Sequence, residues 1–188
     1  MHYFVFDTET TGLNKAQAWE IACAVYNENG EQVAVFNERV RTNPFKFEPG
    51  ARQYCPLTFW ELLKLPSAKQ VLTNLIKFVK ENGSENKWDN LVVMHNAEYD
   101  KEILTRMLRR AGLENIFQTV LNFQVQDTIR ILQFLKAAGV YTGKSCALDK
   151  LGLHTGTAHT ALADVEATFQ LYQRLISKVG KIDSFDCV

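Results

Sequence analysis

The chain has 188 residues, 46% of them hydrophobic and 22% charged, which is typical of one globular domain with a sizeable core. Its formal net charge of zero argues against a protein that coats duplex DNA, because that kind of binding depends on neutralising many phosphates. No signal peptide, membrane span or C-x-x-C motif is visible, so we expect a cytoplasmic protein whose four cysteines are reduced thiols.

The N-terminal part predicts three β-strands. Residues 3–6 are all β-branched or aromatic, and residues 19–26 form a second apolar run. The turn signal at 27–30 leads into a third strand over 31–40, so these strands are expected to pair as antiparallel neighbours. Residues 42–66 contain all four prolines and are expected to be irregular or to form short helices.

The rest of the chain alternates between strands and helices. A helix over 67–81 has Ser67 as its N-cap, and a helix over 97–111 ends at Gly112. The other predicted elements are strands at 91–94 and 123–126, a helix ending near 135, a short helix at 146–151 and a last helix over 162–177. Hairpin strands followed by this alternation favour a single α/β domain with a mixed sheet over residues 1–180, and a short C-terminal tail at 181–188.

Acidic residues stand at the ends of several predicted elements. Asp7 and Glu9 stand at the C-terminal end of the first strand, two positions apart, so their side chains project to the same side. Asp100 shares a helical stripe with apolar residues at +3, +4, +7, +8 and +11, and Asp164 begins the last helix. Individually, each has an ordinary interpretation as a solvated turn acid or a helix-start acid. An aspartate on a core-facing stripe, however, needs a partner, because burying an unpaired carboxylate is costly. Since the other acids are expected nearby, a metal ion bound by all of them explains the pattern better.

The expected metal site is rich in oxygen. Four carboxylates without a cysteine favour Mg²⁺ or Mn²⁺ over Zn²⁺. Two such ions about 3.5–4 Å apart can clamp the attacking and leaving oxygens of a phosphoryl displacement. His159, five residues before Asp164, has an imidazole whose titration near neutral pH suits a general base, although an exposed loop histidine is the simpler interpretation of it alone.

Three motifs in order resemble the DnaQ-like family of 3′→5′ exonucleases, the DEDD group in its histidine variety. They are FDTETTGL at 6–13, HNAEYD at 95–100 and HTALAD at 159–164, and ALDKL at 147–151 resembles a further helix of the family. Tyr99 stands where phenylalanine is more usual. The resemblance spans nearly the whole chain and implies a ribonuclease-H-like fold, a mixed five-stranded sheet flanked by helices. The proofreading epsilon subunit of DNA polymerase III belongs to the same family.

The resemblance also implies a role for each site residue. Asp7 would bridge two metals, Glu9 and Asp164 would complete the site of the nucleophile's metal, Asp100 would bind the second metal, and His159 would take a proton from water. The expected substrate-binding residues are Thr8, Thr10, Leu13 and Asn96. Thr10 would lie near the terminal 3′ hydroxyl, Leu13 would act as a wedge beside the last base, and Asn96 would support the site by hydrogen bonding. For Leu13 the ordinary interpretation is loop packing, and for Asn96 it is a helix N-cap.

The expected activity is hydrolysis of the terminal phosphodiester of single-stranded 3′ ends to nucleoside 5′-monophosphates. DNA is favoured over RNA as the substrate, and a DNA polymerase is a possible partner. An exoribonuclease of the same superfamily and a non-catalytic polymerase-associated subunit are the alternatives, because no motif decides how a 2′-hydroxyl is received. Aromatic side chains could serve as stacking platforms for bases, and the candidates are Trp19, Tyr54, Phe59 and Trp60, although core packing is the ordinary interpretation for most of them.

Overall fold

Five strands form one mixed sheet in the order β3-β2-β1-β4-β5. The computed structural model describes residues 1–121, 125–153 and 160–179. The strands are β1 (His2–Thr10), β2 (Ala18–Tyr26), β3 (Gln32–Arg39), β4 (Asn90–Met94) and β5 (Val125–Asp127). The first three pair antiparallel, and β1, β4 and β5 run parallel. The predicted mixed five-stranded sheet is confirmed, while residues 123 and 124 of the predicted fifth strand lie outside the described residues.

Helices cover both faces of this sheet. They are α1 (Pro49–Arg52), α2 (Phe59–Lys64), α3 (Ala68–Asn82), α4 (Ala97–Ala111), α5 (Ile116–Thr119), α6 (Thr128–Ala137) and α7 (Ala161–Val179). The Ser67 hydroxyl accepts a hydrogen bond from the Gln70 amide at 3.3 Å, so the predicted N-cap of α3 is confirmed. Gly112 ends α4 in the left-handed conformation, with φ of 68°.

Two details of the helix prediction are wrong. Residues 146–151 form only a 3₁₀ turn over Asp149–Leu151, because Leu148 is the one buried side chain among them and does not support a longer helix. In α7, the helical spacing of Val165, Phe169, Tyr172 and Ile176 predicts an inward stripe, but Ile176 is 44% exposed and Leu175 is buried in its place.

Strand β1 separates the two halves of the core. Phe4 and Phe6 pack with the apolar faces of α3 and α4, whereas Val5 packs with α7 on the opposite side. Because side chains alternate along a strand, Asp7 and Glu9 continue the Val5 side, toward α7, and Thr8 continues the α4 side. The position of every polar residue at the end of β1 therefore follows from the apolar residues before it.

Strand β1 also extends beyond the end of its parallel neighbour, β4. Its register with β4 covers only His2 to Val5, yet β1 continues to Thr10 against β2. Asp7 and Glu9 therefore lie inside a strand, beyond the point where β4 ends, and not in a turn after a short strand. In the described residues no helix combines the length and apolar character of a membrane span.

Candidate active site

Three carboxylates meet where β1 passes the end of β4. Asp7 and Glu9 come from β1, and Asp164 comes from the first turn of α7. One oxygen from each lies within 4.8 Å of the others. Helix α7 starts at this place because the Thr160 hydroxyl accepts a hydrogen bond from the Ala163 amide at 3.3 Å, which caps the helix. The structure thus brings together residues that are 157 positions apart in the chain.

Asp100 approaches the same cluster from the other side of the sheet. It lies in the first turn of α4, is 5% exposed, and accepts a hydrogen bond of 2.5 Å from the Thr8 hydroxyl. The predicted apolar stripe is confirmed, since Ile103, Leu104 and Leu108 are buried with it. Within the described residues Asp100 stands beside, and not inside, the tight group formed by the other three carboxylates.

The pKa values of these carboxyl groups are raised by burial and by one another. Burial, followed by the charges of Asp100 and Asp164, raises the pKa of Asp7 well above its ordinary range. Burial and the Asp164 charge raise the pKa of Glu9 from 4.5 to about 7. Burial raises that of Asp100 to about 6, although the hydrogen bond from Thr8 opposes the shift. Carboxylates held together in this way favour a cation between them, and their all-oxygen donor set suits a hard divalent ion.

A fifth acid, Glu20, was not predicted from the sequence. It lies on β2 directly opposite Glu9 and is 3% exposed. One carboxylate oxygen accepts a hydrogen bond from the Arg39 side chain at 3.3 Å, and the other accepts one from the Ala161 amide at 3.2 Å. The sequence feature that could have indicated it is a charged residue within an otherwise apolar predicted strand. In the structure every residue of β2 is buried, including Glu20.

The loop after β1 is held from two sides. The Glu48 carboxylate accepts hydrogen bonds from the backbone amides of Leu13, at 3.2 Å, and Asn14, at 2.9 Å. The Tyr99 hydroxyl donates to the Gly12 carbonyl and lies 2.9 Å from the Thr10 hydroxyl. A side chain at Gly12 would collide with Glu48, which explains the glycine. The tyrosine that departs from the usual family residue therefore has a defined structural partner.

This loop presents Leu13 to solvent. The Leu13 side chain is 78% exposed, so packing within the loop does not account for it. It borders a pocket of about 350 Å³ that adjoins the acidic cluster. The residues that line this pocket are Thr8, Glu9, Thr10, Gly12, Leu13, Glu48, Gly50, Ala51, Tyr54 and Tyr99. The structure thus places Thr8, Thr10 and Leu13 around one cavity.

Asn96 occupies the position before α4, but its side chain does not cap the helix. Its backbone is left-handed, with φ of 65°, and its side chain is exposed. The capping bonds come from Asp127, whose carboxylate accepts from the amides of Asn96 and Ala97 at 3.2 Å and from Ile129 at 3.0 Å. One aspartate at the end of β5 therefore fixes the starts of α4 and α6 together.

His95 follows the end of β4 and has a structural environment. Its Nδ1 lies 2.8 Å from the Thr128 hydroxyl, and burial lowers its pKa. His159, the expected general base, lies outside the described residues. Among the aromatic candidates, Trp19 is a core residue at 1% exposure and is unavailable for stacking, while Tyr54 and Trp60 are 45% and 69% exposed.

Comparisons with known proteins agree on one family. The model of the Exonuclease family, RNase_T, matches residues 4–172. The DNA polymerase III PolC-type protein of Bacillus cereus is 26% identical over 179 residues, which are 94% of this chain and 11% of that protein. The chain thus spans about a tenth of the length of the curated relatives it matches.

Solved structures share the fold. Exonuclease I from Methylocaldum szegediense superposes with a TM-score of 0.75 at 18% identity, over 94% of this chain and 40% of that one. The zinc-bound complex of Escherichia coli Exonuclease I with single-stranded DNA has a TM-score of 0.74 at 14% identity, over 96% of this chain and 41% of that one. The ribonuclease-H-like fold is thereby confirmed. Since the family model extends from β1 into α7, the chain belongs to the Exonuclease family as a DnaQ-like 3′→5′ exonuclease domain.

Proposed function

We propose that this domain removes nucleotides one at a time from single-stranded DNA 3′ ends and releases nucleoside 5′-monophosphates. The observation that carries the proposal is the meeting of Asp7, Glu9 and Asp164 within 4.8 Å, with Asp100 beside them and an open pocket next to the cluster. Support for single-stranded DNA comes from Escherichia coli Exonuclease I, which shares the fold and was solved with such a ligand.

The four carboxylates would hold two divalent ions, Mg²⁺ or Mn²⁺. Asp7 would contact both ions, Glu9 and Asp164 would hold the ion of the nucleophile, and Asp100 would hold the other. Such ions, when bound, lower the pKa of water and neutralise charge on the phosphate. The raised pKa values of Asp7, Glu9 and Asp100 fit this assignment, because a cation would offset the burial and the mutual repulsion that raise them.

The remaining residues would act on the substrate. His159 would accept the proton of the attacking water, and Thr10 would contact the terminal 3′ hydroxyl. Leu13, projecting from a loop fixed by Glu48 and Tyr99, would separate the last base from its neighbour. Asn96 is exposed at the start of α4, where it could donate a hydrogen bond to the bound strand. We expect a frayed, single-stranded terminus to enter this pocket more readily than a paired one, because the terminal base must leave its stack.

The test uses Asp7→Asn with matched 5′-labelled DNA and RNA oligonucleotides, each with Mg²⁺, with Mn²⁺ and with chelator. The parent is expected to produce a ladder shortening from the 3′ end of DNA, and chelator or the substitution should abolish it. Glu85→Gln is the control, since Glu85 is an exposed carboxylate in the loop before β4. A faster ladder on RNA would favour the exoribonuclease alternative. A parent-like ladder from Asp7→Asn would refute the assignment.

We also propose that the domain edits DNA ends made by a polymerase. Its similarity to a segment of a DNA polymerase III PolC-type protein supports this role. An editing enzyme should digest a primer with a mispaired 3′ nucleotide faster than a fully paired one, because the mispair frays more readily. Equal rates on the two primers, together with activity on single strands, would favour a role unconnected with polymerase errors.

A further inference from the structure

The buried carboxylate of Glu20 is not needed as a ligand in the mechanism above, yet it lies beside the ligands. It faces Glu9 across β1 and β2, and both of its oxygens accept hydrogen bonds. One bond comes from Arg39, whose side chain is 43% exposed, and the other from the fully buried Ala161 amide. Burying a carboxylate next to other acids costs free energy, and hydrogen bonds to its oxygens offset part of that cost. The two groups that donate these bonds to Glu20 therefore indicate its role.

The Ala161 amide marks the start of α7. Amides in the first turn of a helix have no partner within the helix and must find one elsewhere. Thr160 receives the Ala163 amide, and Glu20 receives that of Ala161. Of these two hydrogen bonds, the one to Glu20 joins the helix to the sheet, since Glu20 belongs to β2. The first turn of α7 is therefore held to the sheet by this polar contact in addition to the apolar packing of Ala161 and Val165.

Asp164 lies three residues after Ala161, on the same side of the helix. Its carboxylate must stay within reach of Asp7 and Glu9, which belong to the sheet. A shift of the helix start along β2 would move Asp164 away from them, and a displacement of about 1 Å in such a site can reduce a rate about 10²-fold.

We propose that Glu20 is a positioning residue that holds the start of α7, and through it Asp164, in register with Asp7 and Glu9. This inference rests on the proposed function, in which Asp164 is a metal ligand. The competing role for Glu20 is that of a further ligand or a source of negative charge. The two roles make different demands on the side chain. Positioning requires a hydrogen-bond acceptor at the right distance from the Ala161 amide, whereas a ligand or charge source requires the negative charge of the carboxylate.

Two substitutions separate these requirements. Glu20→Gln keeps the length of the side chain and a carbonyl oxygen for the Ala161 amide, but it removes the charge. Glu20→Asp keeps the charge, but it is one methylene too short to hold both partners. Glu38→Gln and Glu38→Asp are the matched controls, because the Glu38 carboxylate on β3 contacts the Asn74 side chain at the surface.

Three measurements are made on each variant: hydrogen exchange at the Ala161 amide in chelator, Mn²⁺ binding by calorimetry, and steady-state kinetics. With Glu20→Asp, exchange at Ala161 should accelerate, Mn²⁺ affinity should fall about 10–100-fold as for other residues that orient ligands, and kcat should fall more than KM rises. Glu20→Gln should remain close to the parent in all three, and the Glu38 pair should change none.

The opposite pattern overturns the inference. If Glu20→Gln loses Mn²⁺ affinity while Ala161 stays protected and Glu20→Asp resembles the parent, charge is the requirement and Glu20 is not a positioning residue. Parent-like exchange at Ala161 in Glu20→Asp overturns it as well. Failure of the proposed function looks different, because the parent itself would then neither bind Mn²⁺ nor shorten DNA, whatever the exchange at Ala161.

Discussion

Glu9→Gln should stabilise the metal-free protein at alkaline pH while it removes activity. The folded protein raises the Glu9 pKa from 4.5 to about 7, so between these values the folded state holds a proton that the unfolded state has released. Stability therefore falls as pH rises through this window, and the loss is complete above the folded pKa. At about 1.4 kcal/mol per pKa unit, the cost of ionised Glu9 approaches about 3 kcal/mol at pH 8. Glutamine cannot ionise and avoids it.

The assay is thermal or denaturant unfolding in chelator at pH 4 and pH 8. At pH 4 parent and variant should differ little, because Glu9 is protonated in both states of the parent. At pH 8 the variant should unfold up to about 6–12 °C higher, since 1 kcal/mol corresponds to about 2–4 °C for a chain of this size. Adding Mn²⁺ should narrow or reverse the difference, because a ligand that binds only the folded state stabilises it, and the parent binds better.

Equal unfolding temperatures for parent and Glu9→Gln at pH 8 in chelator would refute the reasoning, since Glu9 would then ionise at no cost in the folded protein. A variant that is less stable at both pH values would show instead that the Glu9 side chain makes favourable contacts. Glu85→Gln again serves as the control, because its carboxylate is exposed and its replacement should leave both curves unchanged.

Three further changes test other parts of the site. Tyr99→Phe removes the hydroxyl that holds the loop of Leu13, and we expect KM for oligonucleotides to rise about 2–10-fold with kcat near the parent value; a lower kcat at unchanged KM would contradict this. His159→Ala should lower kcat about 10²–10⁴-fold and leave Mn²⁺ binding intact by calorimetry, whereas lost binding would make His159 a ligand. Asp127→Ala should lower the free energy of unfolding in urea by about 2 kcal/mol, because it uncaps α4 and α6 together, and an unchanged midpoint would show that other groups cap these helices.

The sequence allowed the acidic residues of the candidate site to be placed on their elements, because periodicity carries geometric information within a single element. The spacing of Asp7 and Glu9 put both on one side of a strand, and the stripe of α4 put Asp100 toward the core, where it is 5% exposed. Pattern alone was insufficient for the short helix expected at 146–151. A few apolar positions do not outweigh the cost of ordering a helix when only Leu148 is buried.

Contacts between distant elements could not be obtained in this way. Glu20 and Ala161 are 141 positions apart, Asn14 and Glu48 are 34 apart, and no local pattern in any of these segments indicates the other. Asn96 was a reasonable N-cap by residue type, yet Asp127, from another strand, supplies the capping oxygens.

What the amino-acid sequence determined by itself was therefore the identity of the acidic residues, the elements that carry them and the side each faces. Only the tertiary structure decided how those elements meet. Because β1 extends beyond the end of β4, Asp7 and Glu9 are free of a neighbouring parallel strand. The contact of α7 with β2 brings Asp164 close to them. The physical reason is that a residue's local conformation depends on its neighbours in the chain, whereas the distance between two carboxylates depends on packing and register summed over the whole sheet.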